Sequence, residues 1–202
     1  MSAPWHKAAV HCVRKNARLK LLFMLRIAPN IVIGTLVLSL GLTNCDRPSI
    51  FDQVLPGNET SSDVTKTTSV SPPTSLEQTV HQQINQYRQS HNLPPLTLDA
   101  RISKVARAHS QAMASGKVPF GHAGFDQRVE AINRIIPYRT AAENVAFNKG
   151  YSNPTQQAIE GWIKSNGHRI NIEGQYNLTG IGVVKNAKGE YYFTQIFIRK
   201  WW

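Results

Sequence analysis

Residues 76–202 predict a layered α+β domain with helices first and a β-hairpin last, and three observations carry that reading. Apolar residues recur at helical spacing in four successive segments bounded by capping residues, Gly or Pro. Two runs rich in Val, Tyr, Phe and Ile then close the chain, separated by a short turn that ends in Gly189. Finally, the composition changes at Ser75, where a polar stretch without apolar periodicity gives way to the first helical pattern.

Residues 1–45 read as a signal peptide or membrane anchor. Arg14, Lys15, Arg18, Lys20 and Arg26 make the start basic, and Ile31–Leu42 is an uncharged apolar run of twelve residues. A spanning helix needs roughly 20 residues, whereas a signal-peptide hydrophobic region of this length is ordinary. Leu42-Thr43-Asn44-Cys45 follows directly and resembles the bacterial lipoprotein box, with Asn44 standing where that box has a small residue. Acylated Cys45, a cysteine that merely closes the apolar segment, and an uncleaved signal anchor are the three readings. All place the rest of the chain outside the cytoplasm, with the basic residues on the cytoplasmic side. Residues 46–75 are rich in Ser, Thr, Pro and Asp, and cannot bury enough apolar surface to fold; they read as a flexible tether.

The first helix starts at Ser75, with Ser75 and Gln78 as its capping box and Leu76, Val80, Ile84 and Tyr87 along one face. It ends near His91 and Asn92, before Pro94 and Pro95. Asp99 caps the second, whose stripe is Ile102, Val105, Ala106, His109 and Met113, and Gly116 stops it. Asp126 caps a third, with Val129, Ile132 and Ile136 inward and Pro137 at its end. Pro154 opens a fourth, which runs to about Ser165. Strands follow over Leu178–Val184 and Glu190–Arg199, with Tyr191, Phe193 and Phe197 facing one way and Tyr192, Thr194, Ile196 and Ile198 the other.

The formal net charge is +11, but the first 45 residues hold six Lys or Arg and no acidic residue, so the leader supplies more than half of it. The balance of the remainder is no argument for a nucleic-acid partner. The two cysteines, Cys12 and Cys45, both precede the globular part, so its stability rests on a hydrophobic core and not on disulfides. Ser110, Ser115 and Ser165 lack a nucleophile-elbow context, and no cysteine follows Cys45, which argues against a serine or cysteine hydrolase.

The groups able to bind a metal or move a proton lie in three blocks: His122 in GHAGF, Glu143 in AENVAF and His168 in GWIKSNGHR. Each also has a purely structural reading. His122, between glycines, can bond backbone carbonyls. Glu143-Asn144 can brace the loop that follows. Asn166-Gly167 reads as a helix C-cap that sets His168 and Arg169 at a negative helix end.

Taken together, YRQSHNLPPLTLDARISKVARAHSQAMA, GHAGF, AENVAF, GWIKSNGHR, GIGVV and YYFTQIF stand in an order that resembles the CAP superfamily of cysteine-rich secretory, antigen-5-like and pathogenesis-related proteins, in its bacterial form without disulfides. The resemblance covers residue 76 to the end. It implies a three-layer α-β-α sandwich, a third strand around Tyr138–Phe147, and a cleft lined by two His and two Glu that in some members hold a divalent metal. His122, Glu143 and His168 match three of those four. The fourth position falls on Lys164 or Ser165, and the nearest carboxylate, Glu160, is set to pair with Lys164 one helical turn away.

Two imidazoles suit Zn²⁺ at about 2.0–2.1 Å, but two alone hold it weakly, since catalytic zinc sites have about three protein ligands. A neighbouring carboxylate can orient a histidine or act as a general base. The leading expectation is therefore an exported, membrane-tethered binding module of the cell envelope, taking an apolar, glycan or peptide ligand, with weakly held Zn²⁺ optional. The competing one is a metal-dependent hydrolase using His122, Glu143 and His168 with metal on His122 and His168; a third is a purely structural envelope protein.

Overall fold

The computed structural model describes Cys12–Lys15 and residues 71–201. The apolar run 31–42, the Leu42–Cys45 box, the tether up to residue 70 and Trp202 lie outside the described residues. In order come β1 (Cys12–Lys15), α1 (Ser75–Ser90), β2 (Thr97–Leu98), α2 (Ala100–Ala114), α3 (Phe125–Asn133), β3 (Tyr138–Lys149), α4 (Pro154–Lys164), α5 (Asn166–Glu173), β4 (Leu178–Lys185) and β5 (Glu190–Lys200). The strands form one sheet in the order β1-β3-β5-β4-β2. β5 lies antiparallel between β3 and β4, β1 pairs antiparallel with the outer edge of β3, and β2 runs parallel to β4.

Helices cover both faces of the sheet. On one, Val80 and Ile84 of α1, Ala158, Ile159 and Trp162 of α4 and Ile172 of α5 pack on Ala142, Ile181, Val183, Phe193 and Phe197. On the other, Ile102 and Ala106 of α2 and Phe125, Val129 and Ile132 of α3 pack on Ala141, Ile196 and Ile198. This is the expected three-layer α-β-α sandwich. The alternation expected along β5 is the observed one, with Phe193 and Phe197 to the first core and Ile196 and Ile198 to the second.

The GIGVV block has a packing reason. A Cβ on Gly180 would overlap the backbone at Ile102 and Ser103, and one on Gly182 the backbone at Ala106 and Arg107. α2 therefore lies directly on β4, which only glycine permits.

Several local expectations are corrected. The capping box of α1 is Thr74 with Glu77, one residue earlier than Ser75 with Gln78. Glu77 is chosen because its buried carboxylate is already held in place by Arg107 of α2, at 2.8 and 2.7 Å, and by the Val183 amide of β4 at 3.2 Å. Asp126 is not the cap of α3; Gly124 is, and its φ of 78° lets the loop turn into the helix. Ile136 is buried as expected but lies beyond the helix, which stops at Asn133.

Asn166-Gly167 does not close α4. Ser165 is a single-residue break, and Asn166 opens α5, which was not foreseen. Packing of Ile172 and the buried Asn171 overrides the local Asn-Gly signal. Trp201 lies beneath the guanidinium of Arg139, 4.1 Å from its ring centroid.

Candidate functional site

Glu143 sits in the middle of β3 with its side chain toward α3, and that side chain is fully buried. His122 reaches it from the GHAGF loop: the Nδ1–H donates to Glu143 Oε1 at 2.9 Å. Because a carboxylate only accepts, Nδ1 carries the proton of this bond, and Nε2 of His122 takes no part in it. That nitrogen is buried and has no protein partner.

The other contacts to Glu143 come from Arg128 of α3, which the sequence reading missed. Its Nε donates to Oε2 at 2.8 Å and its Nη2 to Oε1 at 2.6 Å, a bidentate clamp. Nη1 and Nη2 also bond the carbonyls of Ala123 and His122, at 2.7 and 3.3 Å, so one guanidinium holds both the carboxylate and the loop that carries the histidine. Burial alone would raise the Glu143 carboxyl, but the hydrogen bonds from His122 and Arg128 and the charge of Arg128 outweigh it and hold Glu143 below its usual range.

His168 stands near the start of α5. Asn144, next to Glu143, donates from Nδ2 to the His168 carbonyl at 3.1 Å, and Asn171 donates to Asn144 Oδ1 at 2.9 Å and to the Glu143 carbonyl at 3.4 Å. These amides pin α5 to β3. Both ring nitrogens of His168 are buried without a partner. Its pKa is pushed down to about 4, first by burial and then by the nearby His122, so the ring is neutral at neutral pH.

His109, expected as a core histidine, is buried and donates from Nε2 to the Gly121 carbonyl at 2.8 Å, which ties α2 to the His122 loop. Burial lowers its pKa too, with Arg128 adding to the effect.

Glu160 does not complete a tetrad. Its carboxylate takes Lys164 Nζ at 3.3 Å and Gln156 Nε2 at 3.0 Å, on the solvent side of α4 beside a shallow hollow lined by Tyr151, Asn153 and Gln157. The pairing foreseen with Lys164 is the one found.

The donor set bears on zinc directly. His122 Nε2 and a nitrogen of His168 are the orphaned groups that would hold an ion, with Glu143 behind His122 as its orienting carboxylate. The Glu143 oxygens are already occupied, and among the described residues no group of three or more His, Cys, Asp or Glu is placed to hold a metal. The set fits a loosely held, exchangeable ion and falls short of the roughly three protein ligands of catalytic zinc.

A sheet between helical layers, with a buried carboxylate on β3 facing a loop histidine and a second histidine on α5, defines a three-layer α-β-α domain. The chain belongs to the CAP, or cysteine-rich secretory protein, family, whose model it matches over residues 81–197. It is 37% identical over 139 residues to the uncharacterized protein YkwD of Bacillus subtilis, a match that covers 67% of this chain and 52% of that protein. Against the uncharacterized membrane protein YlbC of the same organism it is 31% identical over 134 residues, covering 63% and 36%. The chain therefore spans about half the length of the first relative and a smaller part of the second.

Among solved structures it is similar to an extracellular protein of Bacillus anthracis that contains an SCP domain, at 29% identity and a TM-score of 0.52, covering 64% of this chain and 45% of that one. An outer surface protein of Borrelia burgdorferi, at 17% identity and a TM-score of 0.53 over 62% of this chain and 93% of that one, shares the fold.

Proposed function

We propose that this protein is an extracytoplasmic, membrane-tethered CAP domain that works as a binding module, holding a polar ligand at His122 and His168. One observation carries the reading. His122 Nε2 and both nitrogens of His168 are buried and unpaired, near a carboxylate that already accepts from His122 and Arg128. Unpaired buried polar atoms cost about 1–3 kcal/mol each, so a ligand that bonds them is favoured. Neutral imidazoles offer a donor and an acceptor, which suits glycan hydroxyls or peptide amides; a purely apolar ligand would leave the nitrogens unpaired.

The export part of the reading is supported by the basic start, the apolar run and the Ser/Thr/Pro tether. It is further supported by relatives named as a membrane protein and as an extracellular protein. Mass spectrometry of the mature chain from a membrane fraction tests the anchor: an acylated N-terminal Cys45 supports it, and an unmodified N-terminus elsewhere refutes the lipoprotein form.

Ring-nitrogen NMR of the purified protein tests the site. Chitotriose, trialanine, laurate and Zn²⁺ are titrated separately, and shifts of the His122 and His168 nitrogens with chitotriose or trialanine, lost in His168→Ala, are expected. Response to laurate alone, or to none of the four, sinks the polar-ligand reading.

The hydrolase reading has one specific support, the His122–Glu143 pair, whose Nε2 has no protein partner and would serve as a general base in that reading. A divalent ion bound there would supply Lewis-acid polarisation. That reading requires turnover that depends on added metal and vanishes in His122→Ala. Zinc binding without turnover leaves the binding module.

A further inference from the structure

The end of the sheet where β3 starts and β5 finishes carries a second kind of site. β3 has a bulge between Tyr138 and Thr140, where Tyr138 pairs with Lys200 and Thr140 with Arg199. Tyr138 and Ala141 both face the second core, so the extra residue turns Arg139 and Thr140 together onto the face of the first. Arg199, which follows Phe197 by one full pleat of β5, points the same way. The bulge therefore sets Arg139 and Arg199 side by side, with the Arg139 guanidinium over the ring of Trp201 at 4.1 Å.

No acid answers their charge. Among the described residues neither Arg139 nor Arg199 forms an ion pair, and Arg139 Nε is buried without an acceptor. β1, which pairs with Thr140, contains no acidic residue, and Lys200 adds a further exposed cation at the strand end. Like charges on neighbouring strands repel, and an anion between them removes the repulsion. A guanidinium fork matches the oxygens of a carboxylate or a phosphate. A carboxylate is planar and is met edge-on by a single fork, as Glu143 is by Arg128. A phosphodiester is tetrahedral, so forks arriving from two directions can share it.

The place where the chain enters the domain separates two sources of such a group. Glu77, in the first turn of α1, accepts from the amide of Val183, which stands opposite Phe193. Residues 46–75 thus join the domain toward the hairpin-turn end of the sheet. Roughly 20 Å of strand separates Phe193 from Arg199. On the export reading the arginines lie at the end away from the anchor, which favours a polymer beyond the domain over the membrane itself.

We propose that Arg139 and Arg199, with Trp201 beneath the first, bind a phosphodiester group of an anionic envelope polymer. The inference goes beyond the reading of His122 and His168 and uses neither imidazole. It rests on export only for the choice of polymer over membrane.

The test is NMR of the purified full chain, following the Arg139 Nε–H and Trp201 indole signals as poly(glycerol phosphate) is added. Saturable shifts of both are expected. Arg199→Gln should raise the apparent Kd read at Trp201 at least about tenfold, the loss of one charge-assisted fork. Lys104→Gln combined with Lys117→Gln removes two exposed charges elsewhere and should change that Kd by less than about twofold, because screening confines their influence. Polyglutamate, whose charges are carboxylates, should bind at least about tenfold more weakly than the phosphodiester polymer. That comparison uses the unaltered chain, so it decides the matter even where a variant fails to fold. No saturable shift, an equal response to polyglutamate, or equal weakening in the lysine variant overturns the proposal. A response to phosphatidylglycerol vesicles but not to the free polymer also overturns it, since the membrane is then the partner. Failure here with intact imidazole shifts leaves the His122–His168 reading standing, and success here without those shifts removes that reading alone.

Discussion

Arg128 makes Glu143 tolerable inside the domain. A buried carboxylate with one imidazole for company would be expensive, and the guanidinium supplies two further hydrogen bonds and a fixed compensating charge. Replacing Arg128 by Met is expected to cost about 3 kcal/mol in urea unfolding, because the charge that remains is uncompensated. Adding Glu143→Gln to that variant should recover at least about 1 kcal/mol, the coupling of a true pair; strict additivity would mean that the two do not act together. His122, Glu143 and His168 were legible because they stand in recognisable blocks. Arg128 was not, because an arginine three residues into a short amphipathic helix looks like any solvated surface position until the facing strand is known. His109 was legible as buried but not as the tie between α2 and the His122 loop, since a stripe of periodicity says which face is inward and not what it meets.

At the scale of elements, the close approach of α2 to β4 is the most demanding contact. Gly182→Ala places a methyl against the backbone of Ala106 and Arg107 and should destabilise by about 2–3 kcal/mol, whereas Gly189→Ala is strained only by its positive φ and meets no neighbour. Comparing the two by chemical denaturation separates overpacking from backbone preference; equal losses would show that the helix can move aside. Long amphipathic helices and the hairpin strands could be read from their periods. The two-residue β2 and the eight-residue α5 could not, since Thr97–Leu98 is too short to show alternation and α5 owes its existence to Asn171 and Ile172 finding places against β3 and the first core. The cap of α1 moved by one residue for a similar reason. Glu77 and Gln78 are equivalent locally, and only Arg107 and Val183 distinguish them.

For the whole molecule, the buried histidines give stability a pH dependence of fixed sign. The folded His168 ionises near about 4, against 6.5 for the ordinary group. Between these values the unfolded chain takes up a proton that the folded one refuses. The stability that goes with a neutral His168 is therefore complete above pH 6.5 and is lost as pH falls toward 4, by at most about 1.4 kcal/mol per unit. His109 acts in the same direction. Urea unfolding at pH 7 and pH 4.5 should show this loss, and His168→Gln should shrink it without abolishing it. An unchanged difference would mean that His168 is solvated and charged in the folded protein.

The carboxylate of Glu77 sets the order in which the domain can close. Its charge is answered by Arg107 of α2, 30 residues on, and its last hydrogen bond comes from an amide 106 residues further along the chain, so the opening turn of α1 is complete only when α2 and β4 have both packed against it. The first helix is therefore settled by contacts from a segment close to the end of the chain. Chains cut before Leu178 should lack that hydrogen bond and have a less settled α1, which limited proteolysis would cut sooner than in the full chain.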